Sequence, residues 1–157
     1  MLRLTLAALH LIALGIGLGA VWGRSRALGA VAAAPEDGVA LRRAFAADTW
    51  WGVAALLWIS TGLWRWLAGT EKSPSYYASN HVFMAKMGLL VLILVLEVWP
   101  MVTLVRWRVA ARRGASEAVV ARSAAARRIA LISVAQTALV LMMVGAAVAM
   151  ARGYGAS

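Results

Sequence analysis

Cysteine is absent from this 157-residue chain, and acidic residues are scarce, with six Asp and Glu against 16 Lys and Arg. Without cysteine there is no disulfide, no thiolate metal site and no C-x-x-C-H attachment for a c-type haem. The chain also lacks the G-x-G-x-x-G, Walker, H-E-x-x-H and G-x-S-x-G patterns of nucleotide sites, zinc proteases and serine hydrolases. With only two histidines, a transition-metal site built from several side-chain ligands is not expected.

Apolar residues are abundant, at 63% of the chain, and only 14% of residues are charged. Runs of about 20 apolar residues, the length that crosses a bilayer as a helix, cover 4–22, 49–67, 82–105 and 129–151. Their apolarity is continuous and does not alternate as in an outer-membrane barrel strand. The sequence therefore predicts an all-α, polytopic four-helix membrane bundle that forms a single domain over residues 1–157.

The net charge of +10 is concentrated in two of the connections between these runs. By the positive-inside rule the first and third connections are cytoplasmic and both termini lie outside. A basic fringe facing anionic lipid headgroups accounts for the charge, so no nucleic-acid partner is expected. We also expect the N-terminus to be retained, because its apolar run is long for a signal peptide and contains His10. The basic residues of these connections are Arg24, Arg26, Arg42, Arg43, Arg106, Arg108, Arg112, Arg113, Arg122, Arg127 and Arg128.

Local signals suggest where the helices begin and end. Residues 25–46 are expected to form a loop around the turn-forming cluster at Pro35–Gly38, with a helical stretch in the membrane interface at its end, Leu41–Phe45. Asp48 and Asn80 stand immediately before the second and third helical segments, where an N-cap belongs. Pro100 is expected to kink the third helix or to mark its inner end, because proline removes a backbone donor.

Basic and aromatic side chains form an outer group when the residues are placed by depth. His10, Arg65 and Lys86 come from three different helices, with Trp58 at mid-depth between them and His81 at the surface. Imidazole can ligate haem iron while Arg or Lys pairs with propionates, so haem b suits this group. The alternatives are a helix-to-helix hydrogen bond for His10, core filling for Trp58 and surface snorkelling for Arg65.

Glycines in the first helix recur at four-residue spacing, and Gly17 shares a face with His10, seven residues before it. Small residues let a flat ligand or another helix approach the backbone closely. Gly17 is therefore a candidate cofactor contact, with ordinary helix packing as the alternative.

Polar side chains form an inner group near the other membrane surface. It contains Asp48, Glu97 and Gln136, with Arg42 and Arg43 at its edge. Ionisable residues at membrane depth usually face a partner inside the bundle. Gln136 is expected to hydrogen-bond another helix near Glu97, and we interpret this group as structural.

Two sets of sequence motifs resemble known families. Ala8-Leu9-His10-Leu11-Ile12, Arg26 and Ala85-Lys86-Met87 resemble motifs of the four-helix, haem-containing bacterial protoporphyrinogen oxidases and their copper-resistance-D-like relatives. That resemblance implies that His10 is the axial haem ligand and Lys86 a functionally required, catalytic residue. The chain departs from the family at Gly17, where a tryptophan is usual, and at Met84, where a histidine is usual.

The stretches Asp48 to Gly52 (DTWWG) and Leu96 to Pro100 (LEVWP) are more similar to an uncharacterised bacterial membrane family. Both resemblances imply a multi-pass protein of the bacterial inner membrane. The leading hypothesis is a b-type haem protein with a redox or porphyrin-related role. A non-enzymatic scaffold or assembly factor and a small cation or proton carrier are the alternatives.

Overall fold

The computed structural model describes residues 1–68, 80–114 and 119–154, and it contains four long helices. They are α1 (Leu2–Ala33), α2 (Gly38–Leu67), α3 (His81–Arg112) and α4 (Val119–Ala151). Each has 30 to 33 residues, which corresponds to about 45 to 50 Å at 1.5 Å per residue. The all-α, four-helix prediction is confirmed.

All four helices extend beyond the predicted apolar runs, because those runs delimit only the part of a helix that hydrocarbon could cover. The predicted loop over 25–46 is wrong except at its end, since Leu41–Phe45 is helical as predicted: α1 continues to Ala33 and α2 begins at Gly38. The flanks of this turn are rich in Ala and Leu, which have high helix propensity. Pro100 does not end α3 either, since the helix continues for twelve residues to Arg112.

The helix ends explain why two capping predictions had different outcomes. Asn80 caps α3, its side chain accepting a hydrogen bond from Phe83 N at 3.0 Å, as predicted. The cap of α2 is Asp37, which accepts from Val39 N and Ala40 N, so the prediction that Asp48 is an N-cap is wrong. Gly114 turns the chain after α3 with φ +66.

The four helices form a bundle that is loosely packed between α2 and α3. Among the described residues, α1 packs extensively against α2 and α4, and α4 packs against α3, whereas α2 and α3 touch at few places. Consecutive helices run in opposite directions. One end of the bundle therefore holds the chain termini, and the other, the arginine-rich end, holds the turn at 34–37 and residue 113.

Two separate apolar cores fill the bundle. One lies at the arginine-rich end and includes Leu28, Leu41, Leu104 and Ile129. The other lies nearer the termini and is built around buried residues that include Ala13, Val21, Trp51, Trp58, Ile93, Val140 and Met143. A layer of buried polar side chains separates them.

Three helices within the described ranges are long and apolar enough to cross a membrane: Leu2–Ala33, His81–Arg112 and Arg122–Ala151. Helix α2 was predicted as a fourth span and does not reach the same apolarity. It carries Arg65, several tryptophans and hydroxyl side chains among its apolar residues. That α2 crosses the membrane therefore stays a prediction.

Candidate functional site

Arg24 on α1 is the centre of the polar layer, and its side chain is completely buried. Its NH1 group donates to Asp48 Oδ1 at 2.9 Å and to Glu97 Oε1 at 2.6 Å. Its NH2 group donates to Glu97 Oε2 and Gln136 Oε1, each at 2.8 Å, and Nε donates to Ser133 Oγ at 3.0 Å. A guanidinium has five N–H donors, so all five have an acceptor. We call Arg24, Asp48, Glu97, Ser133 and Gln136 the arginine hub.

The hub joins all four helices, with Arg24 from α1, Asp48 from α2, Glu97 from α3 and the last two members from α4. Gln136 also donates to Glu97 Oε2 at 2.8 Å and to Ile93 O at 3.2 Å. Arg108 adds a second cation, 3.5 Å from Asp48 Oδ2. Two cations and two carboxylates thus meet with balanced charge, the condition under which charges can be buried.

The hub brings together the three predicted inner residues, and the predicted proximity of Gln136 to Glu97 is observed. Arg24 was assigned to the connection between the first two helices, and that assignment is wrong because α1 continues through it to Ala33. Arg42 and Arg43 are exposed and do not complete the layer. A signal for Arg24 does exist in the sequence: it continues the buried stripe of α1 at helical spacing from Ala13, Gly17 and Val21.

Two adjoining cavities lie on the terminal side of the hub. The small cavity has a volume of about 110 Å³ and the large cavity about 440 Å³. The small cavity is walled mainly by α2 and α3, and the large one mainly by α1 and α4. Six residues line both cavities: His10, Trp58, Arg65, Lys86, Met143 and Met150. The cavities therefore meet at the basic outer group that the sequence suggested.

His10 is held in a defined orientation where the cavities meet. Its Nδ1 lies 2.9 Å from Thr61 Oγ1, and that same hydroxyl lies 2.7 Å from Leu57 O. Threonine has a single hydroxyl proton, and two carbonyls of α2 lie within reach of Thr61 Oγ1, Leu57 O at 2.7 Å and Trp58 O at 3.1 Å. The tautomer of His10 that donates Nδ1–H to Thr61 Oγ1 leaves the threonine proton for a helix carbonyl, and it is the tautomer that places the acceptor nitrogen of the ring at Nε2.

The wall around His10 fits the ring closely. Its centroid lies 5.7 Å from the Trp58 ring at an interplanar angle of 35°. A Cβ added at Gly62 would come within 3.2 Å of His10 Cε1, which is closer than most real contacts. Gly62 thus provides the space that the imidazole occupies, a role the sequence had not suggested.

Hydrogen-bond donors dominate the polar part of the small cavity. Trp58 and Trp66 line it, and both indole Nε1 atoms are buried without a hydrogen-bond partner among the described residues. Arg65 and Lys86 contribute cationic groups to the same wall. No Asp or Glu side chain lines either cavity over the described ranges. Such a wall suits a ligand with oxygen acceptors or negative charge.

The remaining candidates lie elsewhere. Gly17 is buried between α1 and α2, where an added Cβ would lie 3.4 Å from Ala54 Cβ and 3.5 Å from the Trp51 ring. It lines neither of the two cavities at His10, and its position fits the alternative of close helix packing. His81 is exposed at the start of α3 and also lines neither cavity. Within the described parts of the chain no group of three or more His, Cys, Asp or Glu residues could hold a metal ion.

Comparison with known proteins identified one family. A family described as a predicted membrane protein family, DUF2214, matches residues 2–155, almost the entire chain. No curated protein and no solved structure matches the chain. The predicted likeness to an uncharacterised membrane family is thereby confirmed, whereas the resemblance to protoporphyrinogen oxidases and copper-resistance-D-like proteins stays a prediction.

Proposed function

Since the chain belongs to the DUF2214 family of multi-pass membrane proteins, we propose that its cavities form a membrane-embedded site for haem b. The observation that carries the proposal is the hydrogen bond between His10 Nδ1 and Thr61 Oγ1 at the junction of the two cavities. A ligating histidine commonly donates its other ring N–H to an acceptor, which orients the ring and fixes its tautomer. Thr61 Oγ1 provides such a partner for His10 Nδ1, and iron would bind at Nε2 in the tautomer that donates from Nδ1.

The other lining residues fit the chemistry of the same group. Haem b combines a flat apolar macrocycle with two carboxylates, and it supplies one-electron chemistry when bound. The large cavity, at about 440 Å³, falls in the usual range for small-molecule pockets. Arg65 and Lys86 would pair with the carboxylates, while Trp58 and Met143 would contact the apolar body. In this role Lys86 binds and orients the ligand.

Exposed tryptophans support a position for the bilayer relative to this site. Trp22, Trp50 and Trp99 are each two residues from a hub member on their own helix and are 50%, 58% and 39% exposed. Because the hub members touch, these tryptophans lie at nearly the same level, as an aromatic belt at a membrane interface would. His10 is 14 residues before Arg24 on α1, about 21 Å deeper along the axis.

This position leaves the arginine-rich end outside the hydrocarbon. Its arginines include Arg26, Arg106, Arg127 and Arg128, all exposed, and the guanidinium of Arg128 lies over the Trp99 ring at 5.6 Å. We propose that this end faces the cytoplasm and anionic headgroups of the inner membrane, in keeping with the positive-inside rule.

Two alternatives make different demands on the structure. A non-enzymatic scaffold or assembly factor needs only the hub and the cores, and it has no need for the buried donors at the cavities. A cation or proton carrier that depends on Glu97 fits less well, because both carboxylate oxygens of Glu97 accept hydrogen bonds from Arg24. Glu97 is better suited to holding helices together.

A visible spectrum tests the haem proposal. The full chain is expressed with a haem precursor, purified in detergent and measured before and after dithionite reduction. We expect a Soret band that shifts on reduction. His10→Ala should abolish the band, and His81→Ala, which removes the exposed histidine, should leave it unchanged. A wild-type protein without a Soret band would exclude the proposal and favour the scaffold.

A further inference from the structure

The small cavity contains polar atoms that a haem at His10 does not explain. Trp66 lines only this cavity, and its buried Nε1 has no acceptor among the described residues. Trp58 is 8% exposed, lines the same cavity and also has a buried Nε1 without an acceptor there. A buried donor that lacks an acceptor costs about 1 to 3 kcal/mol, so two in one wall point to an acceptor supplied by a ligand.

The rest of the wall indicates the body of that ligand. Apart from His10, the two indoles and the two cationic side chains, the small cavity is lined by apolar residues that include Ile59, Leu63, Phe83, Met87 and Leu90. The Phe83 ring packs against Trp66 with centroids 5.4 Å apart. This lining would contact a hydrocarbon or ring body, and the two indole N–H groups are donors available to its polar end.

The bundle also has an opening beside this cavity. Helices α2 and α3 touch at few places, and the small cavity lies between them. Leu63 and Met84 near this gap are exposed on the outer surface of the bundle, where lipid would contact them if the bundle is immersed at this level. A molecule dissolved in the bilayer could therefore enter sideways, without crossing the aqueous phase.

We propose that the small cavity is a second binding site, for a lipid-soluble molecule whose polar end carries carbonyl or carboxylate oxygen. Oxygen atoms at the polar end accept hydrogen bonds from the indole N–H groups of Trp58 and Trp66, and the body packs against Phe83 and Leu90. The site adjoins the proposed haem position through Trp58 but does not require haem, because Trp66 and Phe83 line only the small cavity.

Equilibrium binding to the full chain in lipid nanodiscs tests this site, with empty nanodiscs subtracted. Two radiolabelled probes separate the sources of the oxygen: dodecanoate offers a carboxylate and decylbenzoquinone offers carbonyls. Dodecyltrimethylammonium has a similar chain without an acceptor and is the negative control. We expect saturable binding of at least one oxygen-bearing probe and none of the ammonium.

Variants separate this site from the haem site. Trp66→Phe keeps an aromatic ring and removes the N–H, so probe affinity should fall about fivefold, the effect of one lost hydrogen bond. Trp58→Phe should weaken binding by a similar factor. Trp64→Phe is the matched control, because Trp64 is 57% exposed and lines neither cavity, and affinity should not change.

The outcomes distinguish the two proposals. His10→Ala should lose haem and keep probe binding, whereas Trp66→Phe should keep the Soret band and bind the probe less tightly. The second site is excluded if neither probe binds saturably above empty nanodiscs, if the ammonium binds equally well, or if both Trp66→Phe and Trp58→Phe bind as the wild type does. A missing Soret band with intact probe binding would remove only the haem proposal.

Discussion

Arg24 and Glu97, 73 residues apart in the chain, form a two-point ion pair in which NH1 and NH2 donate to Oε1 and Oε2 at 2.6 and 2.8 Å. The contact joins α1 to α3. Among the described residues, these two helices do not otherwise pack closely against each other. Asp48 and Gln136 extend the same contact to α2 and α4. The hub therefore fixes the axial register of all four helices at one level.

Replacing the guanidinium should strongly destabilise the bundle. Arg24→Met leaves two carboxylates without their shared cation, and breaking a buried ion pair typically costs about 3 to 5 kcal/mol. Arg24→Lys should rescue little of this loss, because an ammonium cannot reproduce the two-point geometry. Thermal unfolding in detergent measures the effect.

Arg26→Met provides the matched control, since Arg26 is exposed two residues further along α1. It should unfold within about 0.5 kcal/mol of the wild type, as surface changes usually do. Equal loss of stability in both variants would show that the hub does not stabilise the fold specifically.

The sequence was sufficient to identify the fold class and much of the candidate site. Apolar runs located the helices, and depth alone grouped His10, Arg65 and Lys86, which all line the two cavities. Arg24 was missed for a physical reason: a scan for 20-residue spans ends a helix where hydrocarbon ends, although the helix itself continues into water.

Features that depend on how a helix is rotated and on which side chains pack against it could not be predicted from the sequence. Gly17 and His10 share a face of α1, yet Gly17 packs on Trp51 while His10 lies against Thr61 and Gly62. A difference of two helical turns places them in different layers of the α1–α2 interface. The hydrogen bond that orients His10 depends on this packing, and no spacing in the sequence encodes it.

Charge neutralisation of Glu97 should reduce stability without changing ion permeability. Glu97→Gln keeps the side-chain shape but replaces one acceptor oxygen by a donor facing the guanidinium, so we expect a loss of about 2 to 3 kcal/mol. Thermal unfolding measures the loss, and proton or cation flux into liposomes measures permeability. A wild-type flux that disappears in Glu97→Gln would support the carrier alternative instead.

A methyl group added at Gly62 should disturb His10. The new Cβ would lie 3.2 Å from His10 Cε1, so Gly62→Ala should rotate the ring away from Thr61 and weaken or shift the Soret band. Gly52→Ala on the same helix is the matched control, because nothing lies within 4 Å of an added Cβ there. Identical spectra for the two variants would argue against iron ligation by His10.

Removing the hydroxyl group that bonds His10 Nδ1 should lower haem affinity. Thr61→Val replaces the hydroxyl by a methyl group, and loss of such an orienting partner typically costs 10- to 100-fold in metal affinity. Thr49→Val is the control, since the exposed Thr49 only bonds Phe45 O of its own helix. Haem dissociation followed with a haem-scavenging protein measures the difference. Equal dissociation rates would remove the orienting role of Thr61.

Direct titration of the purified haem-free chain with hemin is the measurement closest to the central claim. For the wild type and His81→Ala we predict a Soret change that saturates at one hemin per chain, and for His10→Ala no saturable change. Gel filtration of each variant must show the same folded species. Saturable binding that is the same with and without His10 would contradict the assignment of His10 as the iron ligand, and no saturable binding by the wild type would contradict the haem site itself.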